Sequence, residues 1–419
     1  MYFVINGGTR LKGTVKVKGS KNSTLAILSA LVSKPVKAVL KNIPMNLDVK
    51  TMLTILGKLG ASVKIKNDSI VVDTTTLHSS FVPYELSRLL RGSLLLLPSL
   101  LARFKVACIG LPGGDKIGPR PFDLLIKGLS LMGAEIRIKG DYIYGKVKRI
   151  RGGYVFLDYP SSSATEALMI FASNAEKKVI IDNAETKPEI IDLATLLEKM
   201  GARIRGAGTG TIEIQSEKAY HDEILIEHSV IPDYTEACTY MIAAAVTGGN
   251  VCVKNVIVNH LRNVIFKLSE MGITCTCKKE KIYVRGVEEI QPTNIISSKP
   301  FPSIPSDIHP LFIPLLSISQ GKCIVKDLVF EGRYTYVSDL KKMGANIKIS
   351  GASLIIHGPC KFRGCEVTAK DIRGGAALLL AGLAAEGRTV LRNIFHIDRG
   401  YECIEHNLSV LGAKIRRIY

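Results

Sequence analysis

One phrase recurs six times along the chain and constrains its fold more than any other feature. It reads LGKLGASVKI, LSLMGAEIRI, LEKMGARIRG, LSEMGITCTC, LKKMGANIKI and LSVLGAKIRR, with its glycine at Gly60, Gly133, Gly201, Gly272, Gly344 and Gly412. The copies lie about seventy residues apart, well above the short solenoid periods. In each, Leu, Ile or Met at helical spacing runs into a glycine, the expected stop of an amphipathic helix, and an alternating strand follows. A second strand, such as Ser69–Val72 or Leu354–His357, completes a hairpin. Upstream lies another strand, at Val39–Ile43, Val179–Asp182, Val251–Val256, Ile324–Leu328 and Val390–Ile394. A further apolar helix precedes that strand, for example Ser23–Leu31 or Gly375–Ala385. The predicted unit is β-α-β-α-β-β, six times over, and the fold class is α/β.

The last copy ends early, with one strand, Lys414–Ile418, after Gly412. The N-terminal strand Tyr2–Asn6 can supply its missing partner, which assigns the first residues to the C-terminal half. The expectation is two domains of three units each. One is 20–230, carrying the loop around Asp115; the other is discontinuous, 1–19 plus 231–419. Crossings are expected near Gly19–Ser20 and Ser229–Ile231, with a ligand cleft between the domains. A length of 419 residues agrees with more than one domain.

Composition narrows the function classes. Hydrophobic residues make up 47% of the chain, enough for large cores. The net charge of +19 fits an anionic partner, but no run of five or six like charges forms a nucleic-acid tail. Nine cysteines without a C-x-x-C pair read as free thiols in a reducing compartment. Cys275 and Cys277, two apart on a strand, read as buried apolar residues. The N-terminus lacks a long apolar segment, and the stretch Leu89 to Leu101 carries Arg91 and Pro98, so neither a signal peptide nor a membrane span is expected. A cytoplasmic protein is the expectation.

Three stretches carry possible chemistry. Lys18-Gly19-Ser20-Lys21-Asn22-Ser23 precedes a helix and reads either as an anion-binding turn or as an ordinary cap with a solvated lysine. Leu111 to Leu124, LPGGDKIGPRPFDL, is too rich in Gly and Pro for helix or central strand, and is either a lid or a solvated loop. The acids and arginines of Ile304-Pro305-Ser306-Asp307, Asp371-Ile372-Arg373 and His396-Ile397-Asp398-Arg399, with Arg91, are either anion forks or surface ion pairs. Spacing alone favours the surface pairs.

The repeat together with GSKN, LPGGDKIGPRPFDL, IPSD and HIDRGYE, in this order from about Phe3 to about Ile418, resembles the UDP-N-acetylglucosamine 1-carboxyvinyltransferase (enolpyruvyl transferase) family of bacterial peptidoglycan synthesis. The resemblance implies two inside-out α/β barrel domains whose helices point inward. It implies phosphoenolpyruvate and UDP-N-acetylglucosamine as substrates, with no metal or organic cofactor, no nucleic-acid partner and no membrane insertion. By the matching positions, Lys21, Arg120 and Arg399 hold the phosphate and carboxylate of phosphoenolpyruvate, with Asn22 beside them. Arg91, Arg120, Pro121, Phe122, Asp123, Leu124, Ser161, Ser162 and Val329 match contacts to the nucleotide sugar. Asp307 matches the carboxylate at the sugar 3-hydroxyl, the candidate base; Glu331, Asp371 and Arg373 fall in matching cleft segments. The sister family that makes the shikimate-pathway enolpyruvyl product shares the six-unit fold but lacks the PGG loop followed by Gly-x-Arg-Pro.

Asp115 departs from the cysteine most family members carry, although some carry aspartate. A thiol near pKa 8.5 holds its proton at neutral pH, whereas a free aspartic acid near 3.9 does not. A role for Asp115 as general acid therefore requires burial or lid closure to retain the proton. Fosfomycin alkylates the family's thiolate, so the resemblance with this departure predicts resistance. Ser162, Lys187, Tyr234 and His309 stand where valine, glutamate, arginine and glutamine are common, and bear on nucleotide and interdomain contacts. His309 is read as structural. A protein acting on RNA ends, from a related repeat fold, needs a basic stripe with interleaved aromatics that the sequence lacks. Retention of Lys21, Arg120, Asp307 and Arg399 argues against an inactive paralogue.

Overall fold

The structure, a computed structural model, describes residues 1–419 apart from 67–68, 116, 119–120, 218–223 and 331–332. Among the described residues, the strands form six four-stranded sheets of one recurring design. In each, an outer strand pairs parallel with a second strand, and that strand continues into an antiparallel hairpin. Ile224–Ser229, for instance, runs parallel to Val36–Lys41, which pairs with Ser69–Asp73 and, beyond it, Ser62–Lys66.

The six glycines of the repeat end their helices as the sequence demands. Their φ angles run from 82° at Gly272 to 110° at Gly344, the left-handed region where a side chain is strained. The residue after the glycine then donates back five positions: Ala61 to Leu56 at 2.9 Å, Ile273 to Leu268 at 3.0 Å, Ala345 to Leu340 at 3.0 Å and Ala413 to Leu408 at 2.9 Å. This is the Schellman closure, and the repeated leucine supplies both its carbonyl and a buried side chain.

Three strands stop earlier than their apolar runs suggest. Val39–Ile43, Val251–Val256 and Val390–Ile394 were expected; the strands are Val36–Lys41, Asn250–Lys254 and Arg388–Arg392. Each ends at an asparagine with positive φ: Asn42 (57°), Asn255 (58°) and Asn393 (57°), with Asn183 (55°) equivalent after Val179–Asp182. Asparagine tolerates this region, and its amide reaches the carbonyl at the end of the parallel strand. Asn42 donates to Val230 at 2.8 Å, Asn183 to Leu157 at 2.7 Å, Asn255 to Val17 at 2.7 Å and Asn393 to Ala369 at 3.1 Å.

Two compact units result: Met1–Lys18 with Pro232–Tyr419, and Gly19–Gly114 with Pro121–Ile231. Asp115 lies in the first, whereas the sequence reading attached its loop to 20–230. The N-terminal strand Tyr2–Asn6 fills the last sheet, with Tyr2 opposite Ile418 and Asn6 opposite Lys414. In the first unit the helices Tyr234–Val246, His309–Ile318 and Ile372–Ala384 pack on one another, and all of Tyr234–Val246 is buried. In the second, Lys21–Leu31, Leu96–Phe104 and Ser162–Ala172 play the same part around the 3₁₀ turn Arg91–Leu95. Helices apolar on every side belong in an interior, so these form the centre and the sheets the wall. Burying each Leu, Ile or Phe contributes about 1.5–3 kcal/mol, so burial rather than helix propensity holds them.

Among the described residues no disulfide joins any of the nine cysteines. Cys275 and Cys277 are not both buried, as the sequence suggested: Thr274–Lys278 is an outer strand, Cys275 is partly covered and Cys277 exposed. Among the described residues no helix is long and apolar enough to cross a membrane.

Candidate active site

The unit containing 232–419 gathers acids and arginines at the starts of its three central helices. Asp233 caps Tyr234–Val246, its Oδ1 accepting from the N–H groups of Thr235 and Glu236 at 2.8 and 3.0 Å. Asp371 caps Ile372–Ala384 likewise, accepting from Arg373 and Gly374 at 3.0 and 2.9 Å. Asp307 precedes His309–Ile318, and its Oδ1 accepts from Arg333 Nη2 at 2.8 Å. Each carboxylate sits at the positive end of a helix, where the unbonded amides favour negative charge.

Two arginines balance these acids. Arg333 is 2% exposed and also donates from Nη1 to the Ser306 carbonyl at 2.8 Å. Burial works against its charge, but Asp307 and Asp371 outweigh that and hold it protonated. Arg373 is equally buried, and Tyr401, Asp307 and Asp233 overcome the desolvation that opposes its charge. It lies over the Tyr401 ring, 5.4 Å from its centre. His309, in contrast, is pushed down to about 3, by burial first and Arg333 second, and is neutral. Its Nδ1 lies 3.0 Å from the Ser298 hydroxyl, as suits a structural side chain.

Asp115 and Arg399 meet in this unit. Arg399 Nη1 donates to Asp115 Oδ1 at 2.5 Å, with the side chains 6% and 8% exposed. Asp115 Oδ2 accepts from the Ile372 N–H at 3.4 Å, and His396 Nδ1 stands 3.8 Å from Oδ1. The loop residue thus reaches the segment that holds Asp371 and Arg373. Val329 donates its N–H to Asp327 Oδ1 at 2.9 Å; Glu331 lies outside the described residues.

The unit containing 19–231 arranges different chemistry at the equivalent helix starts. Ser20 caps Lys21–Leu31 through the Ser23 N–H, and Lys21 Nζ lies 3.4 Å from Asp48 Oδ2, its side chain 11% exposed. Asn22 is half-buried beside it. Arg91 opens the 3₁₀ turn, donates to the Pro121 carbonyl at 3.4 Å and lies 5.4 Å over the Phe122 ring. Asp123 begins the next helix, with Leu124 half-buried behind it. Ser161 caps Ser162–Ala172, while Ser162 Oγ donates to Glu185 at 3.1 Å and accepts from Lys187 Nζ at 2.9 Å. Lys187, one of the departures noted above, therefore places a cation on the Ser161–Ser162 turn. Arg120 lies outside the described residues.

The structure brings together Asp115 with Arg399, Asp307 with Asp371 and Arg373, and Arg91 with Pro121 and Phe122. Sequence reasoning missed Arg333 and Tyr401. Nothing in the local pattern around Arg333 marks it as buried. Tyr401 stood inside the HIDRGYE motif, which was the available signal; in the structure its phenol lies 2.8 Å from Thr239 Oγ1. Among the described residues, no three His, Cys, Asp or Glu side chains are placed to hold a metal ion. A surface depression of about 580 Å³ near Lys148, Arg151 and Lys177 contains none of these site residues.

Comparison with known proteins adds a family. A family profile described as EPSP synthase (3-phosphoshikimate 1-carboxyvinyltransferase) matches residues 5–408. UDP-N-acetylglucosamine 1-carboxyvinyltransferase 1 of Caldanaerobacter subterraneus subsp. tengcongensis is 43% identical over 415 residues, 99% of either chain. The enolpyruvyl transferase NikO from Streptomyces tendae superposes with a TM-score of 0.90 at 24% identity, over 99% of this chain and 98% of that one. EPSP synthase from Acinetobacter baumannii does so with a TM-score of 0.74 at 18% identity, over 99% of both. These two structures establish the fold.

Proposed function

The chain belongs to the UDP-N-acetylglucosamine 1-carboxyvinyltransferase family, and from that premise we propose that it moves the enolpyruvyl group of phosphoenolpyruvate onto the 3-hydroxyl of UDP-N-acetylglucosamine, releasing phosphate. This is the first committed step of peptidoglycan precursor synthesis, a cytoplasmic activity on which cell shape and division depend. The observation that carries the reading is the buried pair of Asp115 and Arg399, an acid and an anion-binding fork at 2.5 Å.

The chemistry needs a proton at C3 of phosphoenolpyruvate and a base at the sugar hydroxyl. Asp307 takes the hydroxyl proton as the sugar oxygen bonds to C2, and Asp115 gives its proton to C3. The resulting tetrahedral ketal returns a methyl proton to Asp115 as the C2–O bond to phosphate breaks and the double bond re-forms, and the departing phosphate carries away the proton that Asp307 took, which restores both carboxyl groups. Lys21, Asn22, Arg120 and Arg399 bind the phosphate and carboxylate, and positive charge stabilises the departing anion. Arg91, Arg120, Pro121, Phe122, Asp123, Leu124, Ser161, Ser162 and Val329 contact the nucleotide sugar. Glu331, Asp371 and Arg373 complete the site, with Arg333 orienting Asp307.

The Asp115–Arg399 pair suggests how a carboxylic acid holds its proton here. A guanidinium beside it favours the charged carboxylate. An arriving phosphate competes for Arg399, removes that counter-charge and adds negative charge nearby, and both effects favour the protonated acid. Substrate binding thereby prepares its own proton donor.

The test is incubation with phosphoenolpyruvate and each acceptor, UDP-N-acetylglucosamine or 3-phosphoshikimate, with mass detection of the enolpyruvyl product. Product from the phosphoshikimate alone would overturn the assignment. Asp115→Asn is expected to lower turnover by at least ~10³-fold, and Asp115→Cys to retain part of it. The aspartate is a poor nucleophile toward an epoxide, so fosfomycin is expected to leave wild type active and to inactivate Asp115→Cys. Irreversible loss of wild-type activity at modest fosfomycin would contradict this.

A further inference from the structure

We propose that Asp192, a buried carboxylate to which the reaction gives no part, is a positioning residue that fixes the Lys21 turn for phosphoenolpyruvate. The inference rests on the reading of Lys21 given above. Asp192 lies in helix Pro188–Lys199 and is 4% exposed. Its Oδ2 accepts a short hydrogen bond from the Ser23 hydroxyl and a second from the Ile231 N–H at 3.2 Å. Its Oδ1 lies 2.9 Å from His228 Nε2. These partners come from the first turn of Lys21–Leu31, from strand Ile224–Ser229 and from the residue that ends this unit.

The bonds close on themselves. The Ser20 N–H donates to the Ile231 carbonyl at 2.7 Å, and the Ser23 N–H donates to Ser20 Oγ at 3.3 Å. Ser20, Ser23, Asp192 and Ile231 therefore form a closed hydrogen-bonded ring, and Lys21 and Asn22 lie in the chain between its two serines. Every member of the ring is fixed by another, so the turn cannot pivot without breaking a buried bond. Lys21 is a point charge on a flexible stem, and its aim depends on where this turn holds its Cα.

The arrangement is not a nucleophilic triad. Ser23 is wholly buried, and its hydroxyl bonds to the carboxylate rather than to the imidazole. A carboxylate suits the position because it accepts from three donors at once. His228, 4% exposed, holds the far oxygen in place.

Ser23→Ala removes the tie between Asp192 and the turn while leaving the bonds to Ile231 and His228. It is expected to raise KM for phosphoenolpyruvate about tenfold, with KM for UDP-N-acetylglucosamine within about twofold of wild type. Asp192→Ala is expected to act in the same direction and more strongly. His228→Gln keeps a donor to Oδ1 and is expected to remain within about twofold of wild type for both substrates. Should Asp192→Ala fail to fold, the Ser23→Ala measurement decides alone. Unchanged phosphoenolpyruvate KM in Ser23→Ala, or a parallel rise in both KM values, overturns the proposal while leaving the enzyme assignment intact. Absence of turnover and of phosphoenolpyruvate binding by titration calorimetry in wild type overturns the assignment and this inference with it.

Discussion

The two units share one architecture and oppose one another in the chemistry at their helix starts. In the unit containing 232–419, aspartates stand at all three central helices, Asp233, Asp307 and Asp371, with Arg333 and Arg373 buried among them. In the unit containing 19–231, two of the three starts are capped by neutral serines, Ser20 and Ser161, with the cations Lys21 and Lys187 at those turns, while Arg91 opens the 3₁₀ turn that leads into the third helix. A carboxylate cap consumes the positive end of its helix; a serine cap satisfies one amide and leaves the field to act on something else. Under the proposed function, the 232–419 copy of this scaffold supplies the carboxylates for proton transfer together with Arg399, and the other copy supplies the remaining anion-binding groups. Cap identity, rather than fold, separates the two roles.

The largest effect that can break this comparison is at Arg333. Arg333→Met fills the volume but leaves Asp307 and Asp371 without their shared buried counter-charge. Removing one partner of a buried pair costs about 3–5 kcal/mol, and Asp307, a third exposed at its side chain, recovers part of that from water. Turnover is expected to fall about a hundredfold because Asp307, the proposed base, loses its orientation. Urea unfolding and phosphate release measure the two. If neither changes, the buried arginines are incidental to the aspartate caps.

A pH series sharpens the comparison next, because each unit buries one glutamate in a central helix. Burial, with Glu189 adding to it, pushes Glu166 up to about 8; burial, with Asp233 adding to it, pushes Glu236 up to about 7. Below the ordinary value of 4.5 both folded and unfolded chains carry these protons. Between 4.5 and about 8 the folded state keeps the Glu166 proton while the unfolded chain releases it. Folding then binds the extra proton, and stability falls as pH rises. The expected loss is on the order of a few kcal/mol across the window, less where the chain relaxes around the charge. Glu166→Gln is expected to remove the part extending furthest toward pH 8, and Glu236→Gln the part ending near pH 7. Unfolding midpoints that stay level from pH 5 to 8 would show that these carboxyls ionise freely.

What the sequence made legible and what it hid follow from range. The six glycine stops could be read because a helix end is a local event: one residue needs positive φ, and its leucine lies four positions back. The pairing of Tyr2–Asn6 with Lys414–Ile418 could be read because the last unit lacked one strand. The asparagine strand ends were missed since Asn42, Asn255 and Asn393 look like polar interruptions until their amides meet a distant parallel strand. Arg333 was missed for a similar reason. A buried arginine is written no differently from a solvated one, and its partners Asp307 and Asp371 lie 26 and 38 positions away. Asp115 was flagged by its motif, but its hold on Arg399, 284 positions on, belongs to the fold.

The smallest expected effect tests cap identity most directly, by importing the carboxylate cap into the cationic unit. Ser161 accepts from the Ala164 N–H at 3.4 Å, a long bond, and aspartate caps a helix about as well as serine. Ser161→Asp should therefore leave stability within about 0.5 kcal/mol of wild type, while Ser161→Ala loses about 1 kcal/mol. Binding should respond in the opposite order. The new carboxylate places negative charge on the turn held by Lys187 and Ser162, where contact with the anionic nucleotide sugar is proposed, and should raise KM for UDP-N-acetylglucosamine several-fold. Ser161→Ala leaves that charge balance alone and should change KM little. A Ser161→Asp enzyme with wild-type KM would mean the serine caps were never selected for an anion, and the difference between the units would reduce to packing.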